Sequence, residues 1–182
     1  TQKLLAQASV RGDDVACIVF SGQMMGCVPL DDHARPLRSA IIWADQRSVA
    51  QQQQIAERID PAQVYRITGH RLSASYSLCK ILWVKQHQPE IYARTHRFVL
   101  AKDAMIARMT GRFVTEPSDA SGTNMYDLQQ GTWSSSILDA AGLDIGKLPE
   151  IIPSTGIAGE LLPEPAAELG LPAGVPVVVG GG

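Results

Sequence analysis

Charge of one sign, long apolar runs, cysteine and aromatic residues are all scarce in this chain of 182 residues, and each shortage excludes something. Lysine and arginine total 16 against 18 acidic residues, a formal net charge of −2 with no basic stripe, so no nucleic-acid footprint is present. No apolar run approaches the roughly 20 residues that span a bilayer, which leaves no membrane partner to expect. The three cysteines, Cys17, Cys27 and Cys79, form no metal-ligand spacing, and an odd count in apolar surroundings favours reduced thiols in a cytoplasmic protein. The chain also lacks a Walker-type GxxxxGK[ST], a strand–GxGxxG–helix unit, CxxC, HExxH and a Gly-x-Ser-x-Gly elbow. Its four histidines, His33, His70, His87 and His96, are scattered, and no metal site is expected.

What remains is ordinary globular composition, 45 % apolar and 19 % charged, in a length that buries one full core. Val15–Phe20, Gly26–Leu30 and Ala40–Trp43 are short apolar runs joined by turn residues, and read as three strands of a meander. Helices follow. Ser48 caps a helix through Ile59 that turns Val49, Ile55 and Ile59 inward and exposes Gln51–Gln54, and Ser77–Gln86 and Pro89 onward continue the helical pattern. Arg97–Leu100 reads as a strand, Asp103 as the cap of a helix Ala104–Thr110 ended by Gly111, and Trp133–Ala141 as a helix stopped by Gly142. Phe113–Thr115 and Asn124–Leu128 are further strands, Leu148–Pro163 runs extended over a surface, and Ala166–Gly170 is a short helix. The last strand ends in Gly180–Gly181–Gly182, where backbone or ligand can come close. The order of elements indicates α/β or α+β. With Thr1–Ala8 reading as mid-helix, the chain is expected to be a piece of a larger protein.

Three polar breaks interrupt this apolar frame. In Ser21-Gly-Gln-Met-Met-Gly26, glycines leave room for a ligand, the Gln23 amide can hydrogen-bond it, and Met24 and Met25 can pack its carbon face; a tight hairpin with methionine in the core fits equally. In Trp43-Ala-Asp-Gln-Arg47, the indole can face the C–H side of a sugar while Asp45 or Arg47 pairs with hydroxyls; a core tryptophan beside a structural Asp–Arg pair is the alternative. The stretch Arg66–Tyr76 is dense in polar groups, as suits either a substrate-touching or a solvated loop.

In this order the breaks resemble the FGGY family of carbohydrate kinases, its xylulokinase-like branch above all. The matching segments continue through Ile41-Ile-Trp-Ala-Asp-Gln-Arg47, Thr68-Gly69, Lys80-Ile-Leu-Trp-Val84, Pro89-Glu90, Lys102-Asp103, Thr110-Gly111, Ser118-Asp-Ala-Ser-Gly-Thr123, Pro172-Ala-Gly174 and Gly180-Gly-Gly182. The resemblance implies a ribonuclease H-like lobe of the actin and hexokinase type, with a mixed sheet and flanking helices. Residues 1–182 would be most of the N-terminal kinase domain, without its first hairpin, its catalytic Asp and the C-terminal lobe that binds ATP. It implies an ATP-dependent kinase of a ketose, a related sugar or a polyol, with ATP and Mg2+ held by the full-length parent and a homodimer as its assembly. By the same resemblance Gln23, Met24, Met25, Trp43, Asp45, Arg66 and Tyr76 face the sugar, and Gly180, Gly181 and Gly182 form the hinge on the phosphate side. The general base is an Asp expected immediately after Gly182, so this chain alone is expected to be inactive. Xylulokinase-like members carry Gln-Met-His-Gly where this chain has Met25 in the histidine position, which removes a hydrogen-bond donor near a sugar oxygen and leaves the sugar open. Competing readings are an actin-like module that binds without catalysis, and a self-contained hydrolase using Asp45 with Asp119.

Overall fold

The computed structural model describes residues 1–182. In chain order its elements are α1 (Gln2–Ala8), β1 (Ile18–Ser21), β2 (Val28–Leu30), α2 (Val49–Ala56), α3 (Pro61–Thr68), α4 (Ser77–His87), α5 (Pro89–Arg94), β3 (Arg97–Val99) and α6 (Ala101–Thr110). They continue with β4 (Val114–Thr115), α7 (Pro117–Ser121), β5 (Tyr126–Asp127), β6 (Thr132–Trp133), α8 (Ser135–Ala141), β7 (Glu150–Ile151), β8 (Ile157–Glu160), α9 (Pro163–Leu169) and β9 (Pro176–Gly181).

The architecture is α/β around a mixed sheet ordered β1-β9-β8. β1 and β9 run parallel, with Ile18 opposite Val177 and Ser21 opposite Gly181, while β8 is antiparallel to β9. Three two-stranded ladders, β2-β3, β4-β7 and β5-β6, surround it. Helix α6 packs on β8 and β9, and its Ile106 and Met109 join Val114, Ala158, Leu161, Val177 and Val179 in one core. A larger core gathers Ile55, Val64, Leu78, Ile81, Leu82, Phe98, Met125 and Ile137.

The meander does not form. Val15–Phe20 begins its strand only at Ile18, β1 pairs with the last strand, and β2 pairs with β3. Ala40–Trp43 contributes a single bridge, Ile41 to Cys27. A short apolar run signals burial but not the identity of the partner strand, and here the partner lies at the far end of the chain.

The helices follow their caps and periods with local differences. Helix α3 starts at Asp60, whose side chain accepts from Ala62 N, with Pro61 at the first helical position and Gly69 at φ 72° closing it, so Arg66 sits on a helix rather than in a connection. Val49 points to solvent, 46 % exposed, whereas Gln51 is buried because its amide donates to Gln86 Oε1. Ser48 does not cap α2; its hydroxyl donates to the Ala74 carbonyl. Helix α6 begins at Ala101, so Asp103 lies one turn inside it and accepts from Leu100 N. Trp133 belongs to β6, not to the helix after it, and its indole donates to the Pro149 carbonyl. Leu148–Pro163 is not a plain surface run, since β8 lies within it and Ala158 and Leu161 are buried. Cys17 is exposed, while Cys27 and Cys79 are buried free thiols, each pushed up to about 12 chiefly by burial.

Candidate functional site

Because β1 and β9 are parallel, their carboxyl ends lie side by side, and the crevice outside such ends is where open α/β sheets bind ligands. The Gly22–Gly26 loop leaves β1 at the point where the glycine run closes β9. Three close approaches bring these segments and α7 together. A Cβ at Gly22 would stand 2.6 Å from the Cβ of Lys102. One at Gly122 would stand 3.1 Å from Cε of Met24, and one at Gly182 would meet both Met24 and the Asp119 carboxylate. Gly180 has φ 76°, and a side chain there would overlap the Phe20 carbonyl, so only glycine permits the irregular step where the β1–β9 register shifts. The step brings Gly182 N to Ser118 Oγ at 3.0 Å.

Helix α4 ties the three polar breaks together. Lys80, wholly buried, donates from Nζ to the Met25 carbonyl at 2.7 Å and to the Ser75 carbonyl. Ser77 Oγ donates to the Gly26 carbonyl at 2.6 Å, and Leu78 N donates to the Thr123 carbonyl. Farther along the helix, the Trp83 ring lies under the guanidinium of Arg47 at 4.9 Å. Arg47 in turn grips Asp45, with Nη2 to Oδ2 at 2.6 Å and Nε to Oδ1 at 2.9 Å. These hydrogen bonds hold the Asp45 carboxyl below its ordinary range. Gln46 donates to Ser75 Oγ at 2.7 Å, which joins the second break to the third.

Beneath the glycine end lies a buried ionic cluster. Lys102 Nζ stands 3.1 Å from Asp103 Oδ1, 3.2 Å from Asp119 Oδ2 and 4.0 Å from Glu116 Oε1, and all four side chains are excluded from water. One ammonium faces three carboxyls. Burial, and then the neighbouring Asp103 charge, push Asp119 up to about 6 against the pull of Lys102. Burial also raises Asp103. For Glu116 burial pushes upward as well, but hydrogen bonds from the Ser118 and Ser154 hydroxyls and from the Ser118 and Asp119 amides outweigh it and hold the group low. This cluster fixes α7 to α6 directly under Met24 and Gly182.

Of the residues expected to face a ligand, Gln23 is exposed, Met24 and Met25 are half-buried, and Trp43 is 47 % exposed and open to stacking. Tyr76 packs against the His70 ring at 5.4 Å, and His70 Nε2 reaches Ser121 Oγ at 2.9 Å, so this break meets α7. Arg66 stands apart. It faces Asp60 at 3.8 Å and lines a shallow groove with Pro61, Ala62, Tyr65 and Arg71, which no other candidate residue borders. Asp45 and Asp119 are engaged by different cations, Arg47 and Lys102, so the structure does not assemble them as a hydrolytic pair.

Reading for chemistry passed over Lys80, Ser77, Lys102 and Glu116. A signal existed: lysines set into apolar helical stretches, Leu78-Cys-Lys-Ile-Leu82 and Leu100-Ala-Lys-Asp-Ala104, are out of place unless a buried acceptor awaits them.

The sequence matches the FGGY family of carbohydrate kinases, N-terminal domain, over residues 1–182. It is 38 % identical to a xylulose kinase of Escherichia coli over 93 % of this chain and 34 % of that protein. In structure it is similar to a ligand-bound xylulose kinase of Lactobacillus acidophilus, with TM-score 0.85, 27 % identity, 97 % of this chain and 36 % of that one. It is similar too to a gluconate kinase of the same organism, with TM-score 0.86, 27 % identity and the same coverage. The chain thus spans about a third of the length of the relatives it matches. Its fold is the ribonuclease H-like lobe of those kinases, and the chain belongs to the FGGY family of carbohydrate kinases, as an N-terminal domain.

Proposed function

We propose that this domain forms the sugar-facing wall of an ATP-dependent kinase that phosphorylates a ketose, or a related sugar or polyol. The observation that supports the reading most is the meeting of the Gln23–Met25 loop with the glycine end of β9 outside the carboxyl ends of two parallel strands. Phosphoryl transfer to an alcohol is governed by positioning and electrostatics, which is work for a rigid wall.

In this reading the Gln23 amide bonds a sugar hydroxyl, the Met24 and Met25 thioethers pack its C–H face, and Trp43 offers a further stacking surface. Asp45, locked by Arg47, and Tyr76, braced by His70, border the same wall. Arg66, on the outer groove, is assigned no part. Lys102 already occupies the space between Asp103 and Asp119, and hydrogen bonds saturate Glu116, so this cluster has no room for a magnesium ion beside the ammonium. ATP and Mg2+ would be held by other parts of the full-length protein, with the lobe that carries them as this domain's main partner, in the cytoplasm. The general base would be an acidic residue directly following Gly182. In isolation the 182 residues would bind sugar weakly and phosphorylate nothing.

A substrate panel tests the reading. The full-length protein should release ADP in the presence of a pentulose or a close analogue, and Gln23→Ala should raise the sugar KM by about tenfold while leaving the ATP KM in place. Sugar-dependent ATP turnover by the isolated domain would contradict the assignment of the base and nucleotide site to other segments.

A further inference from the structure

We propose that Lys80 is a positioning residue for sugar recognition, a clamp that fixes the strained Met25 backbone against the Ser75–Tyr76 segment. The inference rests on the reading above, in which the Gln23–Met25 loop faces the sugar.

Lys80 is fully buried on α4, yet its ammonium touches no carboxylate. Its hydrogen-bond partners are two main-chain carbonyls, those of Met25 and Ser75. Burial lowers its proton affinity, and Asp45, the carboxylate whose charge acts on it, is already gripped by Arg47. A buried ammonium without an ionic partner is costly, and an apolar residue of similar length would fill the same buried space without that cost. What the ammonium adds is a connection that no apolar side chain makes.

The connection is placed where the backbone needs it. Met25 has φ 61°, a left-handed conformation uncommon for an unbranched residue other than glycine or asparagine. Such a residue keeps its conformation only when its surroundings over-determine it. The Met25 carbonyl is held by Lys80, and the next carbonyl, that of Gly26, by Ser77 one turn earlier on the same helix. Both anchors therefore come from one rigid element. Since Lys80 also holds Ser75, whose hydroxyl receives Gln46 Nε2, a single charge aligns parts of all three polar breaks. Displacing the loop by a fraction of an ångström would misplace the Gln23 amide relative to the sugar while leaving the nucleotide side untouched.

The test uses the full-length protein and steady-state kinetics. Lys80→Met, which keeps the apolar stem and removes the ammonium, should raise the sugar KM by about tenfold and leave the ATP KM within twofold. Lys80→Arg retains the charge but not a single-point donor, and should show the same split to a smaller degree. A sugar KM within twofold of wild type in whichever variant folds overturns the inference, as does failure of both variants to fold, which would assign Lys80 to stability alone. Gln23→Ala separates this from the underlying reading. If Gln23→Ala shifts the sugar KM and Lys80→Met does not, only the clamp fails; if Gln23→Ala shifts nothing, the loop is not the sugar wall.

Discussion

Met25 shows how much one side chain in a fixed backbone can decide. Its carbonyl is pinned by Lys80 and its φ is 61°, so a replacement side chain would project from the same place. Met25→His would add a ring donor at the mouth of the wall, and a site that bonds a hydroxyl discriminates by large factors against substrates lacking it. The expected outcome in the full-length protein is a change of about tenfold or more in the ratio of kcat/KM values between ketoses. An unchanged ratio would remove Met25 from specificity. At this scale the polar breaks in apolar runs were legible as breaks, and the structure ties parts of all three to helix α4. The sequence was unreadable where a polar side chain found its partner far along the chain, as with Lys80 inside an apolar run and Gln51 at the head of a glutamine run.

A second prediction at the residue scale concerns pH. Asp119 has an ordinary value near 3.8 that the fold raises to about 6, so the native state binds its proton more tightly than the unfolded chain does. Stability must then fall as pH rises through that window, and the cost is fully present above about pH 6. Asp119→Asn, which does not ionise, should gain on wild type across this range, by on the order of 2 kcal/mol at neutral pH, and converge with it at lower pH. Thermal unfolding at a series of pH values checks this. A difference that stays constant with pH would show that Asp119 does not titrate within the cluster.

Among the elements, β9 and α4 matter most. β9 depends on Gly180, whose positive φ and contact with the Phe20 carbonyl leave no space for a Cβ. Gly180→Ala should destabilise the protein by more than about 2 kcal/mol, measured by denaturant unfolding, because strain in the left-handed region adds to a backbone overlap. A loss of a few tenths would mean that the β1–β9 step relaxes freely. Helix α4, by contrast, was plain from its pattern, as were α5 and α8, because periodicity, Pro at the start and Gly at the end are local signals. The strands were not. Val15–Phe20 and Gly26–Leu30 looked like neighbours, yet β1 pairs with β9 and β2 with β3, and no local rule selects between such partners. Helix α3 was missed because the polar Arg66–Tyr76 stretch masked where the helix ended at Gly69.

For the whole molecule, the resemblance of many short motifs in register conveyed the fold, although each motif alone is weak. The structure links several of them in one chain of contacts at the carboxyl ends of β1 and β9: Gly22 lies against Lys102, Lys102 pairs with Asp119, and Asp119 lies against Gly122 and Gly182. The chain matches about a third of its relatives' length, and the proposed division of labour puts sugar binding here and nucleotide binding elsewhere. Sugar-dependent ADP release by the full-length protein, wild type against Gln23→Ala, tests that division most directly. The account predicts turnover with a pentulose or a close analogue, and a rise of about tenfold in the sugar KM of the variant with the ATP KM unchanged. An unchanged sugar KM, or no sugar-dependent turnover with any ketose, aldonate or polyol, would contradict it.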